Sequence, residues 1–170
     1  MQGEKHLKVT YLSEENFKGF GQIISIPDES SRVPTLESSF FKFYGGLGLM
    51  DCDDVVEIGV CTFKKRELET EELEQHAKTP EFLFAIDGDF IMPVAPITYK
   101  NDEAFPDLDR ALALRVRQGE GVIFDDGIWH WAPFPIKDIS SVLVGFKNGT
   151  AENDLVIKEL DSKIIMNIGE

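Results

Sequence analysis

Basic residues are scarce in this sequence: 17 Lys and Arg stand against 31 Asp and Glu in 170 residues, for a formal net charge of −14. Charge of that sign repels phosphate backbones and anionic bilayers alike, which argues against nucleic acid and membrane surfaces as partners. The acidity itself is read as a contribution to solubility. Cysteine is almost absent. Cys52 and Cys61 have no second pair with which to build a zinc cluster, and they read as ordinary reduced thiols. Long apolar runs are missing too, since none approaches the ~20 residues that a membrane span needs. The opening Met-Gln-Gly-Glu-Lys-His-Leu-Lys has no apolar stretch of the secretory kind. The expectation is a cytoplasmic chain. No internal repeat, low-complexity tract or linker interrupts it, and its length suits a single domain over residues 1–170 with one core.

What is present is a succession of short apolar runs separated by turn residues. Strands are expected at 6–12, 23–26, 40–44, 55–63, 82–86, 90–94, 111–117, 122–124, 128–132, 141–146 and 155–159. The run Val-Val-Glu-Ile-Gly-Val-Cys-Thr-Phe at 55–63 is β-branched enough to read as a buried strand. Asp-Gly-Asp at 87–89 signals a hairpin between two of these runs. Ser13, followed by Glu14 and Glu15, marks a helix start of one or two turns. Residues 96–108 read as loop, and 147–154 as a surface turn. The segment 67–76 is built from good helix formers, yet a strand is the better reading if Glu74 and His76 are to share a side. Many short strands with almost no helix describe a sandwich or a closed barrel.

Two stretches carry candidate chemistry. In 74–88, Glu74 and His76 occupy alternate positions, which on a strand face the same way. Glu81 follows after a short turn, at the head of Phe-Leu-Phe-Ala-Ile, and can reach the same space. In 121–130, Gly-Val-Ile-Phe-Asp-Asp-Gly-Ile-Trp-His ends an apolar strand and a turn on His130. A His and two carboxylates, closed by a second His, form a mixed nitrogen and oxygen set suited to a divalent metal such as Zn, Ni, Mn or Fe, with the identity open. Glu69 and Glu71 read as a solvated acidic face. Asp125 and Asp126 precede Gly127 in a turn, where Asp is at home for backbone reasons alone.

These two stretches resemble the signature motifs of the cupins, in which two His and a Glu of the first motif and a His of the second hold a divalent metal inside a jelly-roll barrel. The resemblance maps Glu74, His76, Glu81 and His130 onto that ligand set, with a carboxylate at Glu74 in place of an imidazole. It implies an all-β double-stranded β-helix, the cupin jelly-roll barrel, with one or two short helices. A narrower resemblance covers most of the chain. Glu-Leu-Glu-Gln-His at 72–76, Gly-Glu-Gly-Val at 119–122 and Trp-His at 129–130 are similar to the Glu-Leu-Glu-Arg-His, Gly-Gln-Gly-Val and Trp-His-His of the ureidoglycolate lyases. The chain departs from that pattern at three places: Asp125 and Trp131 stand where the family has His, and Phe146 with Lys147 where it has Asp-Arg.

The lyase resemblance implies cleavage of ureidoglycolate, or a related small hydroxy acid, to glyoxylate and urea. The chemistry requires a base for the carbinol proton and a proton donor for the leaving nitrogen. Glu74, Asp125 and His130 are the catalytic candidates on this reading. Trp129, Lys147 and Phe84 are the substrate-binding candidates, with Trp131 beside Trp129 in the pocket wall and Lys147 meeting a substrate carboxylate as a point charge. A small anionic substrate and a homodimer are the expected partners, the latter through paired barrel edges. The alternative is a non-catalytic cupin that binds a small acid or sugar derivative.

Overall fold

The computed structural model describes residues 3–28 and 30–169. Its strands run β1 (Gly3–Tyr11), β2 (Gly21–Ser25), β3 (Leu36–Glu37), β4 (Lys42–Phe43), β5 (Val56–Lys64), β6 (Glu69–Gln75), β7 (Glu81–Ala85) and β8 (Phe90–Ala95). They continue with β9 (Ile97–Lys100), β10 (Glu103–Pro106), β11 (Leu112–Val116), β12 (Glu120–Phe124), β13 (Trp129–His130), β14 (Phe134–Pro135) and β15 (Ile139–Lys147). A single turn of helix, α1 (Thr150–Asn153), precedes β16 (Val156–Asn167). No helix of the described residues is long and apolar enough to cross a membrane.

Two sheets make the jelly-roll barrel. One orders its strands β11-β1-β16-β6-β13-β8-β14, and a further β11–β8 pairing closes it on itself. The other orders β2-β12-β7-β15-β5. The closure leaves β8 buried along its whole length. Its alternate residues therefore feed two apolar layers: Phe90, Met92 and Val94 join Leu83, Val122, Phe124 and Val144 between the sheets, while Ile91 and Ala95 join Leu73, Trp129, Phe134 and Ile164 on the other face. Segment 69–75 is a strand despite its helix formers because it hydrogen-bonds on both sides, to β16 and to β13. Leu73 and Gln75 are buried on one face, and Glu74 is presented on the other.

The structure departs from the sequence expectations at four places. Residues 55–63 do form a strand, but β5 is the last strand of its sheet and its residues are almost all exposed, including Val56, Ile58 and Val60. Asp-Gly-Asp does not close a hairpin, because β7 and β8 lie in different sheets. Its acids tie the crossing down instead: Asp87 accepts from the Ser141 amide (2.8 Å) and Asp89 from the Gln118 amide (3.0 Å). The expected loop at 96–108 contains the hairpin β9–β10, turned at Asn101 and Asp102, both with positive φ, as a two-residue hairpin turn requires. Ser13 caps a turn rather than a helix. The Ser13 and Asn16 side chains each accept the other's amide (3.3 and 3.0 Å), Gly19 (φ 88°) redirects the chain, and Phe17 and Phe20 enter the core.

Two glycines set how closely the strands around the barrel cavity can pack. A Cβ at Gly121 would sit 2.4 Å from the Leu83 carbonyl oxygen, and one at Gly21 (φ 143°) 1.9 Å from that of Ile123. A Cβ at Gly59, on the exposed edge strand, meets nothing within 4 Å. Chemical denaturation is therefore expected to show Gly121→Ala and Gly21→Ala destabilised by about 2 kcal/mol or more, with Gly59→Ala within about 0.5 kcal/mol of the parent. Equal effects at all three positions contradict this packing.

Candidate metal centre

The β6 alternation carries past the strand end, so that Glu74 and His76 face the space between the sheets. His130 is the register partner of Glu74 across β6 and β13. Glu81, the first residue of β7, enters from the opposite sheet. The ligand-competent atoms of His76, Glu81 and His130 all lie within 4.8 Å of one another, and all three residues are buried. His130 Nε2 is 2.8 Å from Glu81 Oε2, and His76 Nε2 is 3.8 Å from the same oxygen. Glu74 Oε1 stands 3.6 Å from His130 Nε2, outside the tight group and partly open to solvent.

Both imidazoles are oriented from behind. His76 Nδ1 lies 2.7 Å from the Asp154 carbonyl oxygen and His130 Nδ1 3.1 Å from that of Ile128. With the Nδ1 proton donated to a carbonyl, each ring turns its Nε2 lone pair towards the centre, which is how proteins prepare metal-binding histidines. The Asp154 carboxylate in turn accepts the amides of Ala77 (3.1 Å) and Lys78 (2.8 Å), fixing the backbone just beyond His76. Phe124 stacks on the His130 ring with centroids 4.9 Å apart.

These residues fit a divalent cation. Glu81 Oε2 and His130 Nε2 are buried and close, yet neither has a hydrogen-bond partner of good alignment. Two imidazole nitrogens and a carboxylate oxygen directed at one point form a donor set of the kind zinc, manganese, nickel or iron accepts. Without metal the pair is held by charge. Burial opposes ionisation of His130, but Glu81 and then Glu74 outweigh it and raise its pKa to about 9. Burial likewise opposes ionisation of Glu81, and His130 with His76 nevertheless holds it below the usual carboxylate range. Glu74 moves the other way, with burial pushing its pKa up.

The cavity at this centre has a volume of about 290 Å³. A larger depression of about 700 Å³ lies between 65–69, Asp138 and 165–166, but no metal-competent group converges there among the described residues. Five other residues expected at the site are not brought to it. Phe84 sits one strand position out of phase with Glu81 and Leu83 and packs against Phe82 on the opposite face. Trp129 adjoins His130 and so points the other way, fully buried with Leu73 and Ile91, and Trp131 packs against the same layer. Asp125 is exposed in its turn, where its amide donates to the Phe20 carbonyl, and it does not line the cavity. Lys147 follows Phe146, which lines the cavity, and is itself turned away to bind Asp53 at 2.5 Å. Cys61 and Phe63 on β5 line the cavity instead. Cys61 is a free thiol whose pKa is raised by burial and by Glu81 and Glu74. Strand parity from Glu81 picks out Leu83; no local signal marks Asp154 or Cys61.

His76→Ala and His130→Ala are each expected to lose stoichiometric zinc, measured by elemental analysis, while far-UV circular dichroism stays that of a β-barrel. Asp154→Ala is expected to keep the site but weaken zinc affinity by about 10- to 100-fold; full metal retention in both His variants removes the centre. Zinc must displace the proton shared by His130 and Glu81. Calorimetry in buffers of different ionisation enthalpy should thus detect about one proton released per site near neutral pH. Affinity should rise with pH up to about 9. Affinity independent of pH below that point contradicts the charge arrangement.

Among curated proteins none matches this sequence. Solved structures of oxalate decarboxylase from Bacillus subtilis are similar to this chain at a low level. One was determined at pH 4.6, and another is concerned with the enzyme's Mn(II) centres; each is 17% identical with a TM-score of 0.40, over 63% of this chain and 24% of the decarboxylase chain. This chain thus matches about a quarter of the length of those proteins. The family profile described as ureidoglycolate lyase matches residues 4–167, nearly the whole sequence, and the chain belongs to the ureidoglycolate lyase family.

Proposed function

We propose that this protein is a metal-dependent cupin lyase that cleaves the carbinol C–N bond of ureidoglycolate or a related small hydroxy acid. One observation carries the reading: His76, Glu81 and His130 converge inside the barrel of a ureidoglycolate lyase family member, with Glu74 3.6 Å from His130. A divalent ion bound there supplies Lewis-acid polarisation of the substrate's hydroxyl and carboxylate oxygens. The remaining work falls to the chain. Glu74, its pKa raised by burial, stands beside the centre as the base for the hydroxyl proton. As the O–H electron pair becomes the carbonyl of glyoxylate, the C–N bond opens towards nitrogen, and the same carboxyl returns the proton to the leaving urea. His76, Glu81 and His130 would hold that ion, and the surrounding apolar wall keeps bulk water from the exchange.

The proposal includes a homodimer, for which the exposed edge strand β5 offers an unpaired side. The competing reading is a non-catalytic cupin that binds a small acid or sugar derivative. One observation favours its sugar derivative: among the described residues, no Lys or Arg lines the cavity to meet a carboxylate.

Glyoxylate release from ureidoglycolate by the zinc- or manganese-loaded protein, with and without chelator, separates the two. Glu74→Gln is expected to lower kcat by about 10²- to 10⁴-fold, whereas Asp125→Ala leaves both kcat and metal content unchanged. Full activity in Glu74→Gln transfers the base role elsewhere. Absence of metal and turnover, with tight binding of a small acid, supports the competing reading.

A further inference from the structure

Beyond Glu74, His76, Glu81 and His130, the cavity wall is formed largely by Cys61, Phe63, Leu83, Val144, Phe146 and Leu155. None of these offers a strong hydrogen-bonding side chain. The cations nearby are engaged elsewhere. Lys147 holds Asp53, and Arg66 gives its two terminal nitrogens to the carbonyls of Pro133 (2.8 Å) and Ala132 (2.6 Å) while lying 3.6 Å over the Phe134 ring. Phe146 stands where the lyase pattern has an acid, and its ring centroid is 6.0 Å from that of His76. A ligand anchored by its hydroxy-acid head at the histidines therefore projects its other end against carbon. A ureido terminus placed there gives up water for its N–H groups and finds no strong acceptor among those six side chains.

We infer that the cavity selects a hydroxy acid with an apolar substituent, an N-acyl carbinolamide of the form acyl–NH–CH(OH)–COO⁻, with Phe63 and Phe146 as specificity-determining side chains. This rests on the lyase reading for its reaction and on the cavity wall for its choice of substrate. The step balances without oxidant or reductant. The hydroxyl loses its proton to the base, its electron pair forms the C=O of glyoxylate, the C–N pair leaves with nitrogen, and nitrogen takes one proton to give the free amide. A volume of about 290 Å³ suits a small acyl group.

The test begins with binding, which does not depend on turnover. Glycolate and 3-phenyllactate share the hydroxy-acid head and differ in an apolar tail, and calorimetry on the full zinc-loaded chain gives a Kd for each. Phenyllactate is expected to bind about tenfold tighter or more. That preference should largely disappear in the Phe63→Ser/Phe146→Asp double variant, and persist in Phe146→Leu, which guards against a folding defect. Glycolate binding as tightly as phenyllactate, no binding of either, or a preference untouched by the double variant overturns the inference. Turnover then separates the two proposals. A higher kcat/KM for α-hydroxyhippurate than for ureidoglycolate supports both. A preference for ureidoglycolate overturns the inference and leaves the lyase reading intact. Binding preference without turnover of either compound supports the inference on substrate shape and removes the lyase reading alone.

Discussion

The contact between His130 and Glu81, 2.8 Å apart and both buried, is the interaction on which the candidate site depends. A buried carboxylate and a buried imidazole are each costly alone, and removing either leaves the other as an uncompensated polar group. The barrel satisfies them from opposite sheets: Glu81 heads β7 in the five-stranded sheet, and His130 ends β13 in the seven-stranded one. Neither sheet alone brings the pair together. The poor alignment of their shared hydrogen bond, together with the carbonyls behind both imidazoles, leaves a point of convergence that a cation satisfies better than a proton does.

Much of this was legible in the sequence, and the failures have physical causes. The period of two that placed Glu74 with His76 is correct. The same parity places Trp129 opposite His130 and Phe84 opposite Glu81, so the strand geometry itself removes those two from the pocket. Lys147 is opposite Phe146 by the same rule, and its partner Asp53 lies far off in sequence. Edge and centre are not distinguished by composition: Val56, Ile58 and Val60 read as a buried run, and only the strand order shows them exposed. Asp-Gly-Asp at 87–89 is a sound local hairpin signal that long-range pairing overrides. Asp154, whose backbone orients His76 and whose side chain fixes the loop after it, has no signal in its neighbourhood at all, because its role exists only once 78 residues of chain have returned to β6.

Function sits on this frame in two layers. The three inner residues keep the donor types that a metal needs, and the strands holding them keep the close approaches set by glycine, such as Gly121 against the Leu83 carbonyl. The chain differs from the lyase pattern in the wall around them and outside it. Phe146 brings carbon where the pattern has an acid, Lys147 is withdrawn to Asp53, and Asp125 faces solvent. On the proposed reading, reaction type belongs to the inner residues and substrate choice to the wall, so a change in one need not alter the other.

X-ray absorption at the zinc edge of the loaded protein tests the central claim most directly. The account predicts a first shell of nitrogen and oxygen only, with the outer-shell scattering of two imidazoles. A sulfur scatterer from Cys61 in that shell, or the signature of fewer than two imidazoles, contradicts it.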